Sequence, residues 1–337
     1  MRQEQFIARH RAEWDAFEQW LQLRGERTRI TRTQPVAAQP DSVPLSDDAA
    51  PAAYRRLCNQ LSLARRRNYS ATLLDRLQGL MQRGHAVLYR PSRLHPRAIV
   101  QFLGRRFPAL VRAEWRCMLA SLLLFAVPLV ATFVAIVLRP ELAYALFPPE
   151  QLAEFERMYD PAADHTRLGR DSGSDLAMFG HYVFNNISIG FRTFASGLLA
   201  CFGTLVVLLI NGLVIGGVAG HLQASGYGDP FWRFVCGHGA FELTAIVIAG
   251  GAGLQLGLHL LLPGNRRRRD ALIHAGRRGG LLCAGVFAML LVAAFIEAFW
   301  SSIGWMPAWI KYAVAAVLWL GVGLWLWRGG WGDPDAA

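Results

Sequence analysis

The sequence predicts an all-α, polytopic membrane protein with about six transmembrane crossings, one of them a candidate re-entrant segment, and an N-terminal cytoplasmic helical domain. Three observations predict it. Apolar runs near the ~20-residue length that spans a hydrocarbon core recur from Cys117 onward. The charge is partitioned around those runs: residues 1–117 hold 21 Arg and 10 acids, net +11, whereas 139–180 hold 4 Arg and 8 acids, net −4. Residues 263–280 return to 6 Arg and one acid, net +5. Finally, residues 184–257 carry Gly, Asn, His and Glu inside stretches otherwise apolar enough to cross a bilayer. Polar groups there are costly and mark packing, transport or chemistry.

The elements follow in order. Residues 1–95 read as a basic helical domain. Phe6, Trp14, Phe17 and Leu21 lie near one face of a helix over 3–24. A Pro/Ser/Asp-rich linker near 27–50 follows. Residues 51–68 set Tyr54, Leu57, Leu61 and Ala64 opposite five arginines, and 71–89 repeat the pattern with Leu73, Leu77, Leu80, Met81 and Leu88. Three such stripes bury one another and need no enzyme core. Residues 96–116 then oppose Ile99, Phe102 and Leu103 to Arg97, Arg105, Arg106 and Arg112, the pattern of a helix in the headgroup layer. A basic-faced helix packed on the preceding domain is the alternative.

The transmembrane domain is read over 117–330. Its spans are 117–138 with Pro128, two passes within 177–222, then 236–262, 280–300 and 309–327, with an acidic non-cytoplasmic loop at 139–176. Parity sets the number. The basic segments 1–117 and 266–278 belong on the cytoplasmic side by the positive-inside rule, so an even number of crossings separates them. That requires 177–222 to cross twice, although His181, Asn185, Asn186, Ser188 and Arg192 make its first half polar enough to be re-entrant. Both termini are then cytoplasmic.

Several function classes lose support. The basic segments flank spans, so nucleic-acid binding is not needed to explain them. The N-terminus has no continuous apolar core of the signal-peptide kind. Cys58, Cys117, Cys201, Cys236 and Cys283 are odd in number and lack a CxxC pair, so they read as small buried residues. No Walker loop, GxSxG or HExxH occurs.

Two sets of residues carry the functional weight. Gly212, Gly216 and Gly220 line one helix face, as Ala245, Ala249, Gly253 and Gly257 line another, and small residues at this spacing allow close helix crossing in lipid. Asn211 reads as a buried contact beside such a crossing. The second set is the intramembrane polar cluster Asn185, Asn186, Arg192, His238, Glu242 and Glu297. His238 and Glu242 are four apart and share a helix face. They suit a hydrogen-bond cluster, a proton or ion path, or a metal site. No metal is assigned, and if one binds, His238 and Glu242 hold it with His221 or His181 recruited from another helix. Arg192 needs an acidic partner, and Glu242 and Glu297 are the two acids in the predicted spans.

The stretches NNISIGFRTFASG, GTLVVLLINGLVIG, HGAFELTAIVIAGGAGLQLG and AAFIEAF resemble the stage II sporulation protein M family over about residues 110–327. The matching positions are Asn185, Asn186, Gly197, Asn211, Gly212, Gly216, His238, Gly239, Glu242, Gly253 and Glu297. The resemblance implies a multi-pass protein of the bacterial cytoplasmic (inner) membrane. It further implies a non-enzymatic scaffold, without cofactor, that anchors peptidoglycan-remodelling enzymes working outside the membrane. The basic extension and the long acidic loop depart from that pattern, so a different envelope assembly is open. The expected partners are an anionic inner leaflet, a second copy in a homodimer and envelope proteins. The alternatives are an ion, proton or small-solute channel or transporter, and an intramembrane metal-dependent hydrolase.

Overall fold

The computed structural model describes residues 2–26, 45–89, 96–160 and 174–332. Every regular element among them is a helix. The chain divides into two compact units, 1–94 and 95–337.

The first unit contains α1 (Gln3–Glu26), α2 (Ala50–Arg66) and α3 (Ala71–Leu88). Its core is the one the stripes predict: Phe6, Trp14, Phe17, Leu21, Leu57, Leu61, Ala64, Leu73, Leu77 and Leu80 are buried together. Asn68 takes a positive φ of 50° in the α2–α3 turn, a conformation that asparagine tolerates. The Gln3 side chain clasps that turn, donating to Ser70 Oγ at 2.9 Å and accepting from Ser70 N at 2.8 Å. Trp14 Nε1 donates to Gln60 Oε1 at 2.7 Å, so both buried polar groups are satisfied. Most of the expected linker, 27–44, lies outside the described residues.

The second unit is a helical bundle. α4 (Pro96–Gln101) runs through a π-helical turn, Phe102–Arg106, into α5 (Phe107–Ala113). Among the described residues, five helices are long and apolar enough to span a membrane: α6 (Trp115–Leu138), α9 (Phe202–Ala224), α10 (Gly228–Leu261), α11 with its π-turn (Arg268–Ser301) and α12 (Ala308–Arg328). α8 (Asp175–Ala195) falls outside that set because of its polar residues, yet 21 residues at 1.5 Å each reach about 31 Å. It packs along α10. Asn186 meets Glu297 at one level, while Thr193 O and Phe194 O abut Gly253 toward the other end of α10. A reversal at 196–201, with Ala200 and Cys201 at positive φ, then sends α9 back. Residues 177–222 thus form two separate helices, α8 and α9, joined by that reversal, as the expected double crossing requires. α8 tolerates its polar residues because Asn186, Gly190 and Thr193 face the protein.

The two glycine ridges do not face each other, contrary to what adjacency in sequence suggests. Gly212, Gly216 and Gly220 all press on α6: a methyl built on Gly212 would lie 2.5 Å from Phe125 O, and one on Gly220 2.9 Å from Phe133 O. At Gly216 the obstructing atom is Leu129 O. Gly253 and Gly257 instead receive the α8–α9 reversal, around Thr204, Gly197 and Cys201. Ala245 and Ala249 are fully buried in the bundle core. Asn211 is also corrected: its amide donates to Val207 O at 2.7 Å within its own helix.

The four arginines expected in the headgroup layer divide into two groups. Arg97, Arg105 and Arg106 are exposed. Arg112, however, donates to Leu326 O at 2.7 Å and Gly329 O at 2.6 Å, capping the C-terminus of α12. Burial lowers its pKa, and the last carbonyls of a helix offer a cation better partners than lipid. Phe107 nests against Gly285 of α11. Arg278 reaches Glu114 at 3.2 Å, so the basic segments around 105–116 and 266–278 meet at one end of the bundle.

The opposite end is covered by part of the acidic loop. After a 3-10 turn (Pro140–Ala145), α7 (Pro149–Met158) lies over α9. Phe147, Leu152 and Tyr159 are buried there, and Glu156 Oε1 bonds His221 Nε2 at 2.8 Å. Residues 161–173 lie outside the described residues.

Candidate functional site

The polar residues converge where α8, α10 and the end of α11 meet, on the α7 side of the bundle. His238 and Glu242 come from successive turns of α10, with His238 Nε2 3.7 Å from Glu242 Oε2. The third element is a π-helical turn, Glu297–Ser301, in which α11 ends. Such turns are frequent at functional sites because they re-aim side chains that a regular helix would spread. Here both ends of the turn point into one place. The Glu297 carboxylate accepts from Asn186 Nδ2 at 3.3 Å, and Ser301 Oγ lies 3.0 Å from His238 Nδ1. Trp300, between them, packs on Gly237 and leaves room there only for glycine, since a methyl would lie 2.5 Å from the ring.

The ligand atoms of His238, Glu242 and Glu297 all lie within 4.8 Å of one another. His238 is 4% exposed and Glu297 9%, so water has little access to either. Tyr159 closes the α7 side. Its phenol is pushed well above the usual tyrosine range by burial, then by the neighbouring Glu297, Tyr182 and Glu242. It therefore remains a neutral hydroxyl at any physiological pH.

The cations near the site are engaged elsewhere. Lys311, fully buried, donates to Ser301 O at 2.7 Å and sits 5.9 Å from the Trp300 ring centroid. Arg233 donates to Met306 O at 2.7 Å and to Gly304 O at 3.3 Å, holding the α11–α12 connection. Among the described residues, Glu242 and Glu297 meet no Lys or Arg.

Four of the six expected cluster residues are thus brought together: Asn186, His238, Glu242 and Glu297. Asn185 is exposed and donates to Asn186 Oδ1 at 3.2 Å, a supporting contact. Arg192 is excluded. It is exposed, and its Nε donates to Ser188 O at 3.4 Å, one turn back on the same helix. The helix rotation that buries Asn186 and Gly190 turns position 192 outward, so it needs no acidic partner. Neither expected third histidine takes part: His221 bonds Glu156, and His181 is exposed. Glu297 fills that place. Ser301, Lys311 and Tyr159 were not anticipated, and only Lys311, the single lysine of the chain, carried a sequence signal.

These features define a polytopic helical membrane protein with a His/Glu/Glu/Asn cluster that is buried except for a partly exposed Glu242. The family model for stage II sporulation protein M matches residues 120–302, more than half of the chain, and the protein belongs to that family. Residues 4–90 match a domain of unknown function, DUF8413. No curated protein and no solved structure matches the chain. The four converging residues all lie within the matched 120–302 stretch, whereas Lys311 lies beyond it.

Proposed function

We propose that the protein is a non-enzymatic anchor in the bacterial cytoplasmic membrane, holding an envelope assembly of the peptidoglycan-remodelling type on its outer side. The observation that carries this reading is the α7 cap. A soluble loop of this acidity would be expected to move freely in water. Instead Glu156 is tied to His221, and Leu152 and Tyr159 are buried, while Glu141, Glu150, Glu154 and Tyr144 remain exposed. A fixed acidic surface at a bundle end suits docking by a partner, because ordering costs have already been met. Both termini are placed in the cytoplasm by the positive-inside rule, with each arginine near the anionic leaflet contributing about 1 kcal/mol.

Self-association belongs to the same proposal, but the glycine ridges are occupied within the chain and offer it no surface. The lipid-exposed face of α12, with Val317, Leu320 and Leu324, is the better candidate. The test is a photo-crosslinking residue at Tyr144 or Glu150 in native cells. Crosslinks to peptidoglycan-modifying enzymes or their tethers are expected. Crosslinks confined to lipid, combined with ion flux through liposomes that Glu242→Gln abolishes, would replace the anchor by a channel.

A further inference from the structure

We propose that His238, Glu242 and Glu297 bind a divalent transition cation of the Zn2+ or Mn2+ class, joining α10 to the π-turn that ends α11. Three independent features lead there. The first is geometric: one imidazole nitrogen and two carboxylates from two helices have ligand atoms within 4.8 Å of one another. Atoms bound to a common ion at ~2.1 Å lie at most about 4.2 Å apart, so small side-chain rotations close the site.

The second feature is the histidine. His238 is 4% exposed and its Nδ1 is engaged by Ser301 Oγ at 3.0 Å. Its Nε2 has no hydrogen-bond partner among the described residues and points toward Glu242 Oε2, 3.7 Å away and beyond hydrogen-bonding reach. A buried imidazole held through one nitrogen, with the other free and facing carboxylates, is the arrangement of a metal ligand oriented by an outer hydrogen bond. Asn186 does the same for Glu297.

The third feature is charge. Two carboxylates, Glu297 buried and Glu242 partly buried, lie together, and among the described residues no Lys or Arg is bonded to either, Lys311 being committed to Ser301 O. A divalent cation neutralises the pair in one step, and intramembrane charges are tolerated when neutralised. The ligand set selects among cations. One nitrogen with two carboxylates suits Zn2+ or Mn2+. Ca2+ wants six to eight oxygens and Mg2+ a largely hydrated octahedron, which so few groups do not provide. Three protein ligands leave a fourth position for water or for a ligand approaching from the Tyr159 side.

This inference stands whether or not the anchor reading does. The tag-free full chain, purified into nanodiscs, is stripped with chelator, and Zn2+ or Mn2+ alone is then added while thermal unfolding is followed. The expected result is about one equivalent of tightly bound ion per chain and a Tm that falls on stripping and recovers on re-addition. Glu297→Gln and Glu242→Gln should lose the recovery, and Ser301→Ala, which leaves all three ligands, should weaken binding about 10- to 100-fold. Wild-type protein with no cation-dependent Tm shift overturns the proposal. So does a shift that persists undiminished in the Glu242→Gln/Glu297→Gln double variant, which would assign the ion to another site.

Discussion

Gly216 illustrates how far a single residue type can be read. Its spacing with Gly212 and Gly220 announces a close helix crossing, but the partner it touches is Leu129 O of α6, a backbone atom that cannot swing away. Gly216→Ala should therefore destabilise the bundle by about 1–3 kcal/mol, the range for overpacking. Gly321→Ala, with nothing within 4 Å of the added methyl, should stay within about 0.5 kcal/mol of wild type. Thermal unfolding in one detergent compares the two, and equal midpoints would contradict the crossing. Arg192 illustrates the reverse. Its charge inside an apolar run suggested a buried ion pair, but charge alone does not give the azimuth at which a side chain leaves its helix. Asn186, six residues earlier on α8, faces the protein and Arg192 does not.

At the scale of elements, the helices of the N-terminal unit were legible because an amphipathic stripe states both the helix and its buried face. The π-turn Glu297–Ser301 was not, since nothing in EAFWS distinguishes it from a regular helical end. Yet this turn brings Glu297 and Ser301 to bear on one histidine. α7 lies between these cases: its acids were visible, and its docking was not. The Glu156–His221 bond holds it, and Glu156→Ala leaves a buried imidazole nitrogen without its partner, at a cost of about 1–3 kcal/mol. Hydrogen exchange across 149–158 should then speed up at least about 5-fold, with little change in α3, which belongs to the other unit. Unchanged exchange in α7 would show that its apolar face alone keeps it in place.

For the whole molecule, the arginine counts call for an even number of passes between the basic segments, and the described residues place four long helices there, α6, α8, α9 and α10. The meeting of Arg278 with Glu114, and of Arg112 with the end of α12, is the geometric outcome. The membrane sidedness that follows is directly testable. In a background lacking the native cysteines, Tyr144→Cys and Trp305→Cys, both highly exposed, should react with an impermeant thiol reagent in intact spheroplasts. Arg267→Cys should react only after permeabilisation. Labelling of all three from outside would remove the six-pass orientation and, with it, the outward placing of α7.

The sequence by itself determined the helical class, the membrane-spanning runs, the basic and acidic ends and the small-residue faces. Each is a periodic or cumulative property, summed over many residues of one segment, so it survives without knowledge of neighbours. Tertiary structure alone decided which faces meet. It placed the Gly212 ridge on α6 rather than α10, turned Arg192 outward, gave His221 to α7 and supplied Glu297, through a π-turn, as the third group beside His238 and Glu242. Those outcomes depend on the rotation and register of helices far apart in the chain, and a shift of one residue turns a helix by about 100°, enough to exchange a buried ligand for an exposed one.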